Sequence, residues 1–513
     1  MNTKSDSLFK LIKSLTKGEK GYFLKHGGKD QGDDLKYLKL FNKIDLQNEY
    51  DEMQIIKEFK DETFVKQLHV TKNYLYNKIL RNLFLFNSVK SPGFKIAENI
   101  NSVNILYEKG LYKEALTILL KTKILAYEYG IYGEILELIK LHKKLILKFM
   151  KEDILITLNK FSMEEKETIS MIKNISEYRK LFENIYVMIK NEGSIRNSKQ
   201  RNRYLKIIKN SLIKDENRAL TYESRILYCL IQFIYSQAEG DDDLTLQSSI
   251  KLISQIEKTP HRVTEFTREH ILAMGGYLSS SFNLGNYEES MNIIKTMRDC
   301  RVSILELKQY IFFTTYLIEL LINIHSCRFE KGKSLISAIE KGLKKYGLKN
   351  PESNEVILYE KIFFLYFALG DYANALKWNN RILNLNQKIR IDIYTNTLIC
   401  NLLIHYELNN TNLLRYALIN TYRFFYRNKR LYKFEEVVLK YIRKLSAGND
   451  LQYEFGLLKK ELQELEKDPY ERVPLEYFDY ICWLDSKIEN KTFAEIKKDK
   501  LNRKNLHKLK LES

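Results

Sequence analysis

Proline is scarce in this sequence, with only five among 513 residues. Proline interrupts helices because it lacks an amide N–H and its ring clashes with the preceding turn. Its scarcity therefore permits long uninterrupted helices. The five prolines, at positions 92, 260, 351, 469 and 474, all fall at boundaries between predicted helices. An all-α fold is the class that this pattern predicts.

Cysteine is also sparse, odd in number and scattered, and no Cys-x-x-Cys pair occurs. The five residues are Cys229, Cys300, Cys327, Cys400 and Cys482. Such spacing indicates neither a disulfide framework nor a zinc knuckle. We therefore expect a reducing compartment for this protein.

Long apolar runs are absent as well. The first residues, MNTKSDSLFKLIKS, lack the apolar core of a secretory signal. The longest apolar stretch, residues 311–324, is interrupted by two threonines, a glutamate and an asparagine, and it is too short to span a bilayer. We expect a soluble, cytoplasmic protein without membrane insertion.

No pattern typical of an enzyme is present. The glycines at 27, 28 and 32 lack the Lys-Ser/Thr pair of a phosphate-binding loop. His261 and Glu265 share a helical face, but His270 lies half a turn away from it, which disfavours a metal site. We expect no catalytic residues, no metal and no cofactor.

What the sequence does contain is a short turn that recurs three times between amphipathic stretches. Its copies are residues 110–115 (GLYKEA), 285–290 (GNYEES) and 370–375 (GDYANA). Glycine adopts the left-handed conformation that ends a helix, and the tyrosine two places later can wedge between two helices. The small residue at the end of each copy permits close packing. The turn therefore predicts the elbow of a helical hairpin.

Further breaks, inferred from turn residues, fall near positions 152, 193, 240, 328, 409 and 448. Together with the three elbows they give a mean spacing of about 42 residues, a period typical of solenoids. Secondary breaks at Gly130, at 259–260 and at 350–351 divide some periods. Each period is then filled by two helices of roughly 15–20 residues.

Three segments resemble the elbow of a tetratricopeptide repeat (TPR): residues 106–116 (LYEKGLYKEAL), 282–287 (FNLGNY) and 367–372 (FALGDY). The family's unit is 34 residues. The period here is longer and the family's terminal proline is mostly missing, so the repeats are TPR-like with extended helices. The resemblance implies a right-handed α-solenoid whose groove binds peptides or protein surfaces, without catalysis.

The resemblance also indicates which side chains would face that groove, namely polar residues near the elbow. These are Asn104, Glu108, Asn283 and Asn286. Such side chains pair with a peptide backbone without demanding a fixed sequence. The alternative is that they are ordinary exposed polar residues.

Residues 1–92 differ from the repeats at 93–465 and from the C-terminal helical segment with its basic tail at 466–513. Thr16 and Glu19 have the spacing of a capping box, and helices are predicted from Leu35, from Glu52 and from about Thr63. We expect a helical domain that caps the first repeat. The alternative is a helix-turn-helix-like module in which Lys66, Asn73 and Asn77 face a nucleic-acid groove.

The net charge of +19 is concentrated in four segments. They are residues 1–92, 190–214, 421–444 and 491–513. The segment 190–214 holds eight Lys or Arg residues against one acidic residue. It has the composition of a loop that contacts phosphate. A solvated loop is the alternative. The candidate contacts of this segment with nucleic acid or with an acidic partner are Arg196, Lys199, Arg201 and Arg203.

Within the segment 421–444, basic and aromatic residues are interleaved around residues 422–430, which suits base stacking. In a repeat helix, however, we expect these aromatic residues to belong to the core. Two functions therefore remain open. One is a non-catalytic scaffold that binds a protein or peptide. The other is a nucleic-acid-associated regulator that uses the N-terminal helix or the 190–214 loop, with the repeats as its sensor.

Overall fold

Helices make up 86% of the residues that the structure describes, and none of these residues lies in a β-strand, which confirms the all-α prediction. The structure is a computed structural model that describes residues 4–26, 34–88, 92–149, 154–192, 195, 198–347, 353–385, 391–446, 451–468, 471 and 473–512. Within these ranges, none of the helices combines the length and apolar character needed to cross a bilayer.

The chain folds as two units, residues 1–181 with 215–227 and residues 182–214 with 228–513. The α-helices that begin in the first unit are α1 (Lys4–Ser14), α2 (Lys17–His26), α3 (Asp34–Leu46), α4 (Glu52–Glu58), α5 (Leu68–Ser88), α6 (Pro92–Glu108), α7 (Tyr112–Tyr129), α8 (Tyr132–Phe149), α9 (Ile154–Glu192) and α12 (Tyr222–Glu239). Two 3₁₀-helices, Thr63–Gln67 and Glu216–Arg218, also belong to this unit. Helices α9 and α12 contribute residues to both units.

The remaining helices lie in the second unit. They are α10 (Ser198–Ile208), α11 (Ser211–Lys214), α13 (Asp242–Glu257), a 3₁₀-helix (Pro260–Phe266), α14 (Thr267–Asn283), α15 (Tyr287–Asp299), α16 (Leu305–His325), α17 (Phe329–Ser334), α18 (Ile336–Tyr346), α19 (Ser353–Ala368), α20 (Tyr372–Leu383), α21 (Ile391–Glu407), α22 (Thr411–Arg427), α23 (Lys433–Ser446), α24 (Leu451–Leu465), α25 (Val473–Tyr477), α26 (Tyr480–Ile488) and α27 (Phe493–Glu512).

Helices that follow one another in sequence pack as neighbours in both units, for example α6 on α7, α14 on α15 and α19 on α20. In the first unit, separate apolar clusters form within residues 8–79 and within residues 96–161. In the second unit, an apolar cluster within residues 312–496 contains Trp378 and Trp483, both of which are buried.

The three predicted elbows have the expected backbone. Gly110, Gly285 and Gly370 are left-handed, with φ of 75°, 83° and 72°. At Gly370 the glycine N–H donates to the Phe367 carbonyl (3.0 Å), and the next N–H donates to the Tyr366 carbonyl (2.9 Å). This hydrogen-bond pattern closes the C-terminus of a helix, and it recurs at the other two elbows.

The tyrosine of each elbow contacts an aromatic ring five residues earlier, on the preceding helix. The ring centroids are 5.4 Å apart for Tyr107 and Tyr112, 5.8 Å for Phe282 and Tyr287, and 5.2 Å for Phe367 and Tyr372. The small residues of the three copies, Ala115, Ser290 and Ala375, are fully buried. Aromatic wedging and close approach of the helices are therefore both present.

Other helices end at left-handed residues that are not glycine. Cys327, Asn409, Lys429 and Asn490 have φ between 52° and 55°. The breaks predicted near 240, 328 and 409 coincide with helix ends, and so does the secondary break at Gly130. The predicted breaks at 152–153, 193–194, 350–351 and 448–449 lie outside the described residues.

The prediction of two helices per period is wrong between positions 154 and 192. This segment is a single helix, α9, of 39 residues. It contains neither glycine nor proline, so nothing in its sequence interrupts the helical hydrogen bonds. The turn residues near 152 and 193 predicted where this segment begins and ends. They did not indicate whether one helix or two lie between these positions.

The N-terminal region confirms the capping box. The Thr16 N–H donates to Glu19 Oε2 (2.8 Å), and the Glu19 N–H donates to Thr16 Oγ1 (3.3 Å). The helix predicted from about Thr63 begins as a 3₁₀-turn and becomes α-helical at Leu68. Phe64 and Leu68 are both buried, so packing of these apolar side chains accompanies the tighter first turn.

Candidate functional site

The four residues predicted near the elbows lie at helix ends. Asn104 is half-buried, and Glu108 is the exposed last residue of α6. Asn283 ends α14, and its side-chain amide donates to Asp242 Oδ1 (3.0 Å) on α13. Asn286 is exposed and precedes α15, and its side chain makes no capping hydrogen bond. The first two residues belong to one unit and the last two to the other.

The three residues of the helix-turn-helix alternative are all exposed. Lys66 lies in the 3₁₀-helix, and Asn73 and Asn77 lie one turn apart on α5. Beside them, Tyr37 and Tyr74 stack with ring centroids 4.5 Å apart. This places an aromatic pair on a surface that also carries polar side chains.

The prediction of a basic loop over 190–214 is wrong for residues 190–192, 198–208 and 211–214, which lie in helices α9, α10 and α11. Tyr204 and Ile207 are buried and anchor one side of α10. Lys199, Arg201 and Arg203 are exposed, and Arg201 pairs with Glu239 on α12. Arg196 lies outside the described residues.

A groove of about 940 Å³ opens between α22 and α23. Its aliphatic lining consists of Leu418, Ile419, Leu431 and Leu439, and Tyr422 adds an aromatic ring. Ile419 is 51% exposed and Tyr422 is 49% exposed. Exposed apolar side chains gathered in a concave surface are typical of a binding site.

The charged residues that line the groove are mostly basic. They comprise Arg415, Arg423, Lys440 and Arg443 against a single acidic residue, Glu436. Lys440 already pairs with Glu461 on α24 (3.0 Å). Arg415 and Arg423 form no ion pair with any residue that the structure describes. The groove therefore carries positive charge that the described part of the chain does not neutralise.

Our expectation that the aromatic residues around 422–430 belong to the core is correct for Phe425 and wrong for Tyr422 and Tyr426. Phe425 is fully buried, whereas Tyr426 is 69% exposed and stacks beside Tyr422 with centroids 6.3 Å apart. Helix α22 thus has large apolar residues on two faces. The exposed apolar face was the feature of the sequence that could have indicated the groove. Composition alone does not distinguish this face from the buried one.

Ionisable side chains elsewhere mainly join helices. In the first unit, Lys123 and Tyr127 on α7 both contact Glu164 on α9, at 2.7 and 2.5 Å. His142 on α8 packs against Phe161 with ring centroids 4.4 Å apart. Burial and the nearby Lys123 charge lower the pKa of His142 to about 4, so its ring is neutral at pH 7.

Glu265 and His270, which were considered for a metal site, have other partners. Glu265 accepts from Arg262 (2.8 Å), and His270 lies 3.0 Å from Glu257. Among the residues that the structure describes, no group of three His, Cys, Asp or Glu side chains is arranged to hold a metal ion.

Comparison of the chain with protein-family models, with curated proteins and with solved structures finds no match.

Proposed function

We propose that this chain is a non-catalytic, cytoplasmic scaffold that binds a protein or peptide partner. In this proposal it is an α-solenoid of TPR-like hairpins with a period of about 42 residues, capped by the helical domain of residues 1–92. The repeated elbow supports it, because the same left-handed glycine, aromatic contact and buried small residue occur three times. Such hairpins stack into extended binding surfaces.

The observation that carries the proposal is the α22/α23 groove. Its aliphatic lining and its half-exposed Ile419 and Tyr422 form a concave apolar surface that a bound segment would cover. Asn104, Glu108, Asn283 and Asn286 remain proposed as further partner contacts. At Asn283, binding would replace the hydrogen bond to Asp242.

Site-specific photocrosslinking in living cells tests this function. A benzophenone amino acid placed at Ile419 should crosslink a distinct protein. The same probe at Ile250, which is 43% exposed on α13, is the control and should not. The captured protein, once purified, should bind the full chain and lose binding to Ile419→Asp while the melting temperature is unchanged. Equal crosslinking from both positions, or none from Ile419, would refute the proposal.

The nucleic-acid alternative is favoured by one specific observation, the stacked Tyr37 and Tyr74 pair. The Lys78 ammonium lies 5.7 and 5.9 Å from the two ring centroids. Aromatic rings with adjacent cations bind bases and phosphates. The chain would then bind duplex DNA or RNA and shift its electrophoretic mobility at about 50 mM salt, and this binding would weaken steeply with added salt. Absence of any shift would eliminate this alternative.

A further inference from the structure

Helix α22 carries two apolar faces with different surroundings. Leu414 and Phe425 are buried in the core of the second unit. Ile419, Tyr422 and Tyr426 are about half exposed or more. One face is thus used by the fold itself. The other face is not covered in this way by the described residues, and it adjoins the groove.

Two cations flank this exposed face. Arg415 and Arg423 are eight residues apart on α22, which places them about 12 Å apart along the helix axis. Ile419 lies midway between them, so positive and apolar groups alternate along one side of the helix. Guanidinium groups bind carboxylates through paired hydrogen bonds, and this favours an acidic ligand.

The dimensions of the groove suit a short helix. The lining residues of α22 run from Arg415 to Arg423 and those of α23 from Glu436 to Arg443, so the lined groove is about 10–12 Å long, or roughly two helical turns. A helix that places leucine-like side chains on the aliphatic lining would direct its polar flanks at the arginines. Carboxylates two turns apart on that helix would match their spacing.

We propose that the α22/α23 groove binds an acidic amphipathic helix of a partner protein. This inference rests on the proposed scaffold function and specifies the chemistry of its partner. Single-stranded nucleic acid fits the groove less well. Binding of single strands relies on stacking of bases on aromatic rings, whereas most of the apolar lining of the groove is aliphatic.

Fluorescence anisotropy with the full chain tests the inference. The probe is a labelled peptide of about 16 residues, built from glutamate, leucine and alanine with leucine at every third or fourth position. Three controls are a peptide with lysine in place of glutamate, a shuffled peptide of the same composition, and an oligothymidine of about 20 nucleotides. We expect saturable binding of the acidic amphipathic peptide and at least about tenfold weaker binding of each control.

Matched variants locate the binding. Arg415→Glu combined with Arg423→Glu should weaken the peptide affinity at least about tenfold, because attraction becomes repulsion. Arg301→Glu changes an exposed arginine in the loop after α15 and should leave the peptide affinity unchanged. Tyr422→Ala should weaken binding. Tyr416→Ala, on the same helix but outside the lining, should leave it unchanged. Circular dichroism verifies that each variant is folded.

Several outcomes would overturn the inference. Equal binding of the lysine or shuffled peptide would show that neither charge nor amphipathicity is recognised. Unchanged affinity in the double arginine variant would place the peptide elsewhere. Tight oligothymidine binding without peptide binding would make the groove a nucleic-acid site. If crosslinking at Ile419 still captures a protein while no acidic peptide binds, the scaffold function stands and only the partner chemistry is wrong.

Discussion

Replacing Gly370 with alanine and replacing Lys429 with glycine should change local stability in opposite directions. Both residues end a helix in the left-handed conformation, with φ of 72° and 54°. The hydrogen bonds around them are equivalent. Asp371 N–H donates to the Tyr366 carbonyl and Arg430 N–H donates to the Phe425 carbonyl, each at 2.9 Å.

The magnitude follows from the backbone alone. A Cβ added at Gly370 would have no neighbouring heavy atom within 4 Å, so no packing clash contributes. A left-handed non-glycine residue costs roughly 1–2 kcal/mol. The stiffer unfolded chain of the alanine variant offsets about 0.4–1 kcal/mol of this cost. The net destabilisation of Gly370→Ala is therefore about 1 kcal/mol, and Lys429→Gly should gain a similar amount.

Amide hydrogen exchange is the suitable assay, because unfolding of a chain with two units does not yield a single free energy. About 1 kcal/mol corresponds to roughly a fivefold change in exchange rate. Exchange of the Asp371 amide should accelerate by that factor in Gly370→Ala. Exchange of the Arg430 amide should slow by a similar factor in Lys429→Gly.

Lys429→Ala is the matched control, since it removes the same charge but keeps the Cβ atom. It should not reproduce the protection of Lys429→Gly. Equal protection in the two variants would assign the effect to the lysine charge. Unchanged exchange at Asp371 in Gly370→Ala would refute the reasoning that glycine is needed for its backbone conformation.

Two further predictions concern buried positions. In Gly276→Ala the new Cβ would lie 2.7 Å from Phe233 Cζ and 3.0 Å from Ser249 Oγ. We expect the second unit, which contains Gly276, to lose about 1–3 kcal/mol in chemical denaturation that is followed by its tryptophan fluorescence. Gly456→Ala, with nothing within 4 Å, should instead gain up to about 1 kcal/mol, and equal effects would contradict the packing argument. Burial raises the pKa of Glu435 to about 7. The protonated Glu435 carboxyl therefore stabilises the fold fully at pH values below the pKa that it has in the unfolded chain. This contribution is lost as pH rises through about 7, the pKa in the folded chain. Glu435→Gln should resemble the wild type near pH 5 and exceed its stability by up to about 3 kcal/mol near pH 8. An advantage independent of pH would contradict this assignment.

The elbows could be predicted from sequence because their requirements are local. A left-handed residue favours glycine, and the tyrosine two places later reaches the helix that has just ended. Lys429 adopts the same conformation without glycine, so residue type gave no signal there. Helix α9 was missed for a related reason, since turn residues show where a helix can end but not that two helices fill the interval.

The candidate site could be predicted only in part. The basic and aromatic composition of residues 421–444 was visible in the sequence. Whether an aromatic residue of α22 is buried depends on which neighbours pack against each face of the helix. Phe425 is covered while Tyr426, one position later, is largely exposed. That difference arises from tertiary packing, which no local pattern in one chain specifies.

Both tryptophans of this protein, Trp378 and Trp483, are buried in the apolar cluster of residues 312–496. The first unit contains none, so its unfolding is silent in tryptophan emission. Tryptophan fluorescence therefore follows the second unit alone, whereas far-ultraviolet circular dichroism follows the helices of both. The wild-type chain thus has a built-in optical label, and the unfolding of its two units can be resolved without any introduced dye.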